Sequence, residues 1–275
     1  MKKRFRKILP YIIFLLGFLI LSYPFIAQRY YRIQSDKEVS DFFNEAKKIP
    51  SKEIQERLEL AHAYNKTLDP SRISDPWTEK EKAGRRNYAK MLEVKERIGI
   101  VEIPRISQTL PVYAGTSMEV LDKAVGHLEG TSLPVGGKST HAVITAHRGL
   151  PEKRLFTDLD KMKKGDVFFI HILDKKLAYK VDQILVVEPN DFEPVLVKEN
   201  KDYLTLLTCT PYSINTHRLL VRGERLENFE EYMLKPDNEA LFVYRQRLFI
   251  SLIIIIILLI IIIRNRYKIK QISNK

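Results

Sequence analysis

The stretch YLTLLTCTPYSINTHRLLVRGER, residues 203–225, has the pattern of two β-strands joined by a turn. Apolar residues alternate through Leu204–Thr208 before Cys209, the only cysteine in the chain, and alternate again through Leu219–Leu226 after Arg218. Successive side chains of a strand point to opposite faces, which puts the thiol and the guanidinium on the faces opposite the apolar residues. The pattern therefore predicts that both groups point away from the core and into one groove.

Part of the positive charge of the chain is concentrated at its two ends. The 275 residues include 46 Lys and Arg against 34 Asp and Glu, a formal charge of +12. Basic residues cluster within positions 2–7 and again within 264–275. A nucleic-acid-binding protein would more often spread such charge over a folded face, and base-reading motifs are absent, so no nucleic-acid partner is expected. A single cysteine excludes a disulfide within the chain.

Two long apolar stretches lie just inside these basic ends. Ile8–Ile26 is about as long as a bilayer crossing, and the run that ends at Ile263 is nearly pure Ile and Leu. We expect 1–27 to be a cytoplasmic tail and a transmembrane helix, 248–264 a second transmembrane helix, and 265–275 a second cytoplasmic tail. The basic flanks predict a two-pass membrane protein whose middle lies outside the cell. The alternatives are a cleaved signal peptide for the first stretch and a removed sorting signal for the second, although no LPxTG-like site precedes it.

Residues 28–97 are expected to form an extracytoplasmic helical segment that includes a loop. Apolar residues recur at helical spacing through Val39–Leu68, and Pro50 is expected to divide this region into two helices. The stretch at about 68–80 is rich in Pro, Ser and Asp, which is typical of an irregular loop.

Residues 98–230 change to a pattern of short strands and turns with little helix, which predicts a closed or nearly closed β-barrel; 231–247 would then be a linker. The predicted strands are Ile98–Ile103, Thr109–Tyr113, His141–His147, Val167–Leu173, Leu177–Val187, Tyr203–Thr208 and Leu219–Leu226, with Glu193–Val197 as a candidate eighth. Short helices are predicted at Met118–Ala124 and Phe156–Met162.

A general base for the thiol has to come from the histidines of the chain. There are six: His62, His127, His141, His147, His171 and His217. Their spacing matches no metal-binding pattern, so no metal site is expected. His147 is favoured because it ends a predicted strand and is followed by Arg148-Gly149. His217, beside Arg218, is the main rival, and His127, in a loop that could line a groove, is the second.

The motif TLLTC, followed nine residues later by Arg218, resembles the active-site signature of sortases, the cysteine transpeptidases of Gram-positive cell surfaces. The run THAVITAHRG, which contains His147, is similar to the sortase histidine segment, and TPYSINTHRLLVRGER is similar to the pilus-assembling branch, class C. The resemblance spans roughly Ile98–Leu226 and implies the eight-stranded sortase β-barrel. Two membrane segments are also typical of class C.

The class C resemblance extends to the loop at about 68–80. In that branch an Asp-Pro-aromatic motif forms a lid over the active site, and Asp75, Pro76 and Trp77 match it. The small departures are Ser213-Ile214 where many relatives have Gly-Val and Glu224 where some have His. These departures leave the chemistry intact and bear on which substrate is accepted.

The resemblance implies a role for each of three residues. Cys209 would be the nucleophile, since a thiol attacks as the thiolate and neighbouring cations favour that form. His147 would be the general acid and base, and Arg218 would stabilise the oxyanion or hold the substrate. No cofactor is implied. A surface salt bridge is the plainer interpretation of Arg218.

The resemblance also implies the partners. Sortases cut an LPxTG-like sorting signal between Thr and Gly, and class C enzymes pass the acyl group to a lysine amine of a neighbouring pilin. The expected partners are therefore pilin subunits that carry a C-terminal sorting signal and an acceptor lysine, together with the cytoplasmic membrane. The alternatives are a housekeeping sortase that anchors proteins to the cell wall and a surface module that only binds.

Overall fold

A long N-terminal helix and a second, shorter helix precede the barrel. The computed structural model describes residues 2–68, 86–233 and 264. Helix α1 (Lys2–Ala46) is followed by α2 (Ser51–Lys66). Pro50 stands between them in an extended conformation, with φ −61° and ψ 142°, so the predicted break at this proline is confirmed.

Among the described residues, one helix is long and apolar enough to cross a membrane, and it is α1. This agrees with the first predicted membrane segment and suggests membrane anchoring. Residues 248–263 of the second predicted segment, and most of the predicted linker before it, lie outside the described residues.

Eight strands form a closed barrel. They are β1 (Arg97–Ile103), β2 (Gln108–Ala114), β3 (Val125–His127), β4 (Thr140–Thr145), β5 (Val167–Ile172), β6 (Lys175–Val187), β7 (Asp202–Thr210) and β8 (His217–Leu226). Helix α3 (Met118–Lys123) precedes β3, and α4 (Glu230–Met233) follows β8. Short 3-10 helices lie at Arg86–Leu92, Pro104–Ile106, Leu159–Lys161 and Glu193–Val195.

The order of strands around the barrel is β1-β2-β3-β4-β7-β8-β6-β5, and β5 pairs with β1 to close it. Most neighbours are antiparallel, but β2 pairs with β3 and β4 pairs with β7 in parallel. The predicted eight-stranded sortase barrel is confirmed, including the seven strands that alternate clearly in the sequence.

The main hydrophobic core fills the barrel and continues under the two N-terminal helices. Phe42 of α1 and Ala61 of α2 are fully buried in the same cluster as Ile144, Leu204 and Val221 of the strands. A smaller cluster on the opposite face of the sheet includes Val143 and Leu220, with Leu207 packed against it. This second face is the one that carries the candidate site.

Two sequence-based predictions of elements were wrong. Glu193–Val197 is not the eighth strand; residues 193–195 form a 3-10 helix, in which Pro194 fixes the backbone and offers no N–H to a ladder. The eighth strand is β3, whose three residues are too few to show alternation. The helix predicted at Phe156–Met162 is only the 3-10 turn Leu159–Lys161. The helix predicted at Met118–Ala124 is α3.

Candidate active site

Strands β7 and β8 place Cys209 directly opposite Arg218. The two residues are Cα partners in the antiparallel ladder. Leu204 and Leu206 belong to the main core, so alternation along β7 turns Cys209 to the opposite face. Cys209 is a free thiol of intermediate exposure.

The same alternation on β8 turns Arg218 to that face. Leu219 and Val221 lie in the main core, whereas Leu220, between them, packs in the smaller cluster on the other side. Arg218 is two residues from Leu220 and therefore shares its face. The predicted placement of thiol and guanidinium on one side of the sheet is confirmed by this packing.

His147 reaches the same face through the parallel pairing of β4 with β7. Thr145, the last residue of β4, pairs with Leu207, so the residues that follow β4 continue alongside Cys209. The Ala146 amide donates to the Leu207 carbonyl over 3.3 Å, and the Thr208 hydroxyl donates to the Ala146 carbonyl over 2.7 Å. Ala146 is buried in the core, so His147 points outward.

Arg148, the residue after His147, connects this segment to the end of β7 through a hydrogen bond. Arg148 donates to the Thr210 hydroxyl over 3.0 Å and to the Thr157 carbonyl over 3.2 Å, and it forms an ion pair of 2.7 Å with Asp160. Its side chain is only 7% exposed. The sequence showed Arg148 beside His147, but a contact with Thr210 depends on the pairing of distant strands.

Gly149 completes the link between the histidine segment and the loop after Cys209. Its φ of +90° lies in the region that favours glycine, and an added Cβ would lie 3.3 Å from the ring of Tyr212. Tyr212 thus packs over the backbone that follows His147, and a side chain at position 149 would press on it.

Among the described residues, the hydrogen bonds of the Arg218 side chain go to backbone carbonyls. Its Nη1 donates to the carbonyls of Asn215 and His217 over 3.3 Å each. Within residues 2–68 and 86–233, no carboxylate forms an ion pair with Arg218. The surface salt bridge considered from the sequence is therefore not found in this part of the chain, and the guanidinium retains donors for a substrate carbonyl.

The rival histidines have other surroundings. His127 is fully buried; its Nε2 donates to the Ser132 carbonyl over 2.8 Å and its Nδ1 lies 2.5 Å from the Tyr88 hydroxyl. Burial lowers the pKa of His127 to about 4, so it is neutral at pH 7. His217 is 41% exposed and lies 3.2 Å from Glu188. His127 is thus inaccessible to a substrate, while His217 is accessible.

The remaining histidines have structural or peripheral positions. His141 is buried, with Nε2 2.8 Å from the Thr205 hydroxyl, and burial lowers its pKa to about 4. His171 lies 3.0 Å from Glu102, and His62 is exposed on α2. These contacts indicate structural roles for His141 and His171.

Two further predictions concern metals and the lid. No group of three His, Cys, Asp or Glu residues in the described segments could hold a metal ion. Asp75, Pro76 and Trp77 lie outside the described residues.

The sequence and the barrel match a known family. The sequence pattern of the sortase domain matches residues 101–226. Sortase A of Bacillus anthracis is 26% identical over 224 residues, which cover 81% of this chain and 95% of that protein.

Two solved structures are more similar. A sortase C of Streptococcus pneumoniae, studied for catalysis and pilin substrate specificity, is 57% identical with a TM-score of 0.65, covering 70% of this chain and 97% of that one. A lid mutant of Streptococcus agalactiae sortase C1 is 51% identical with a TM-score of 0.63, covering 70% of this chain and 99% of that one.

Identity above one half over nearly the whole length of these structures, together with the matching barrel, goes well beyond a shared fold. The surface module that only binds, considered from the sequence, is set aside by these matches. The chain belongs to the sortase family of cysteine transpeptidases, in its class C branch.

Proposed function

We propose that this sortase assembles pili. It would cleave an LPxTG-like sorting signal of a pilin between Thr and Gly and transfer the acyl group to a lysine amine of another pilin. The observation that carries the proposal is the pairing of Cys209 with Arg218 on the outer face of β7 and β8. The pilin substrate specificity studied in the S. pneumoniae sortase C, 57% identical to this chain, supports the class of substrate.

In the first half of the reaction Cys209 acts as the nucleophile. The thiolate sulfur attacks the carbonyl carbon of the threonine, and a carbon–sulfur bond forms as the peptide carbon–nitrogen bond breaks. His147, protonated, gives its proton to the departing glycine amine. The products are a thioester on Cys209 and a free amine on the released end of the sorting signal.

In the second half the thioester passes to the acceptor. A neutral lysine amine attacks the thioester carbonyl, the carbon–sulfur bond breaks, and the sulfur leaves as the thiolate. His147 takes the proton that the attacking nitrogen loses, which restores the starting state. The product is an isopeptide bond between two pilins.

Arg218 supplies positive charge at the reacting carbonyl in both halves. It remains protonated throughout and presents a planar fork of donors. Its position opposite Cys209 supports a role on the oxyanion or on the substrate backbone beside it. No carboxylate among the described residues forms an ion pair with Arg218, so in this proposal its donors are available once the lid described below has opened.

A lid over the groove is part of this proposal. Asp75, Pro76 and Trp77 match the Asp-Pro-aromatic motif of class C sortases. A lid has been mutated in the S. agalactiae sortase C1, which is 51% identical to this chain. We place Trp77 over the groove near Cys209 and Asp75 within reach of Arg218, so that the lid opens for the substrate.

The proposal also includes a position in the membrane. Helix α1 would anchor the chain and 248–264 would cross the bilayer a second time, with both ends in the cytoplasm and the barrel outside. The basic residues that flank both apolar stretches support this orientation. Pilins that carry sorting signals would then reach the enzyme on the outer surface.

The test uses the full-length protein and a sorting-signal peptide. Mass spectrometry should detect a peptide thioester on the wild-type enzyme that hydroxylamine releases, and no such adduct on Cys209→Ala. The Cys209→Ala variant should fold normally, because the side chain is small and lies on the outer face. Substantial cleavage by Cys209→Ala would refute the assignment of the nucleophile.

The acceptor distinguishes the proposed class from a housekeeping sortase. A pilin domain with an available lysine and a cell-wall precursor amine should be offered in the same reaction. Preferential formation of a pilin isopeptide bond is the expected result. Preferential transfer to the wall precursor would instead support the housekeeping function.

A further inference from the structure

Helix α1 changes its surroundings at Ser22. Residues 12–21 are all exposed. From Ser22 onward, one side of the helix packs against the barrel, and the buried or partly buried residues on that side include Tyr31, Ser35 and Phe42. The barrel therefore begins to cover α1 close to the point where the apolar stretch Ile8–Ile26 ends.

The first part of the barrel that α1 meets is the segment Leu150–Lys153, which follows the histidine of the site and is called here the 150–153 segment. The contacts are Tyr23 hydroxyl to Glu152 carboxylate at 3.4 Å, Gln28 amide to Pro151 carbonyl at 2.8 Å, and Lys153 ammonium over the ring of Tyr31 at 5.0 Å. Tyr31 also donates to the Lys123 carbonyl over 2.8 Å. Lys123 is adjacent to Asp122, whose carboxylate lies near His147.

Along a helix that crosses a bilayer, the number of residues beyond the apolar stretch gives the distance from the hydrocarbon. A helix rises 1.5 Å per residue, so the apolar stretch is about 28 Å long, close to the ~30 Å hydrocarbon thickness. By the same rise Gln28 lies about 3 Å and Tyr31 about 7 Å beyond the hydrocarbon. The headgroup layer on each side is roughly 5–7 Å thick, so the contacts of Gln28 and Tyr31 fall within it or at its outer edge.

The residues of α1 at this level have the composition of a membrane interface. Tyr23, Phe25 and Tyr30 are exposed aromatic residues, and Arg29 and Arg32 are exposed bases among them. Aromatic side chains concentrate where the hydrocarbon meets the headgroups, and bases are attracted to anionic lipids.

We propose that the 150–153 segment lies among the headgroups of the bilayer that α1 crosses, with the exposed Arg29 and Arg32 of α1 facing anionic phospholipids. Because this segment follows His147 by three residues, the catalytic groove then opens at the membrane surface. The inference rests on the anchoring by α1 that the proposed function includes. It does not depend on the transfer reaction.

The test measures the depth of probes on the full-length protein in vesicles of phosphatidylcholine and phosphatidylglycerol. Cys209→Ala removes the only cysteine, so each further variant carries a single thiol for a nitrobenzoxadiazole label. Glu152→Cys reports on the segment. Asp174→Cys is the matched control, because it lies in the β5–β6 hairpin near His171, whose ring contacts Phe43 about 25 Å along α1 beyond Ile26.

Lipids with a nitroxide on the headgroup should quench the label at position 152 and leave the label at 174 bright. A third variant, Gly17→Cys in the exposed part of α1, should be quenched by a nitroxide on the acyl chain. Equal brightness at 152 and 174 would overturn the inference, and so would an unquenched label at 17, because α1 would then not cross the bilayer. Peptide cleavage by the wild-type enzyme tests the proposed function separately.

Discussion

The carboxylate of Asp122, on helix α3, lies 3.8 Å from Nε2 of His147. The Asp122 side chain is 65% exposed, and an ion pair so open to water contributes under about 1 kcal/mol. Asp122→Ala should therefore lower kcat/KM for a fluorogenic sorting-signal peptide by less than roughly fivefold. His147→Ala should lower it by orders of magnitude. A loss in Asp122→Ala as deep as that in His147→Ala would show that His147 requires this carboxylate.

Substitution of Arg218 should lower kcat strongly even when the positive charge is kept. Loss of an oxyanion donor costs ~10²–10³ in turnover in a serine protease, and a similar loss is expected for Arg218→Ala. Arg218→Lys should also be poor, because a point charge does not reproduce the planar fork. The readout is kcat for the same peptide.

His217→Ala is the control for the Arg218 variants, since His217 is adjacent in sequence and pairs with Glu188. It should retain most of the activity. If His217→Ala proves more damaging than His147→Ala, the choice of general base is wrong.

Gly149→Ala should lower activity by more than the accompanying loss of stability would account for. A side chain at φ +90° is strained, and the new Cβ would press on Tyr212 beside the site. Gly165→Ala is a matched control: its φ is +92°, and its Cβ would have no neighbour within 4 Å. Both variants should lose similar thermal stability, but only Gly149→Ala should lose kcat/KM. Equal kcat/KM in the two variants would show that Gly149 does not shape the site.

The lid proposal predicts an order of thiol reactivity. Burial of a large aromatic ring contributes ~1.5–3 kcal/mol, an exposed ion pair adds under ~1 kcal/mol, and ordering a loop costs ~1–2 kcal/mol per residue. The rate at which a small thiol reagent modifies Cys209 should be slowest in wild type, intermediate in Asp75→Ala and fastest in Trp77→Ala. Rates should be compared across pH, because Asp75→Ala can also change the thiolate fraction through Arg218. Identical rates of Cys209 modification in all three proteins would refute the lid proposal.

Two buried histidines should make the fold sensitive to acid. Burial lowers the pKa of both His127 and His141 from 6.5 to about 4. Between these values the unfolded chain binds more protons, so their contribution to the free energy of unfolding is complete above about pH 6.5 and is lost as the pH falls to about 4. The loss is on the order of 3 kcal/mol for each histidine. Chemical denaturation at pH 7.5, 6, 5 and 4 measures it.

Variants separate these histidines from the carboxylates that also titrate. His127→Asn and His141→Asn should each be less stable at pH 7.5 but lose less stability on acidification than wild type. His62→Asn, on the exposed face of α2, should leave the pH dependence unchanged. An unaltered slope in both buried-site variants would refute the prediction.

The sequence was most informative where the signal is local. Alternation along β7 and β8 depends only on neighbouring residues, and it correctly placed Cys209 and Arg218 on one face. Strand β3 cannot be predicted from its pattern because three residues show no period, and Pro194 falls within a predicted strand although its ring favours the 3-10 turn that forms.

The pairing of strands that are distant in the sequence cannot be predicted from local alternation. The parallel pairing of Thr145 with Leu207 aligns His147 with Cys209, but no local pattern specifies the partner or register of β4. The burial of His127 depends on Tyr88, which comes from a different part of the chain. The sequence alone therefore does not decide which histidine is the general base, and it does not predict the contact of Arg148 with Thr210.

The position of β8 in the barrel bears on when the enzyme can first become active. β8 is the last strand among the residues that the structure describes, yet it lies between β7 and β6 and pairs along its length with both. Until β8 has been synthesised and inserted, β6 and β7 keep unpaired edges and Cys209 has no arginine opposite it. The pairing of β8 with β6 joins residues far apart in the sequence, and such contacts form slowly. Insertion of β8 thus fills the gap between β6 and β7 and also brings Arg218 opposite Cys209, and a nascent or truncated chain that lacks β8 carries its thiol without the guanidinium opposite it.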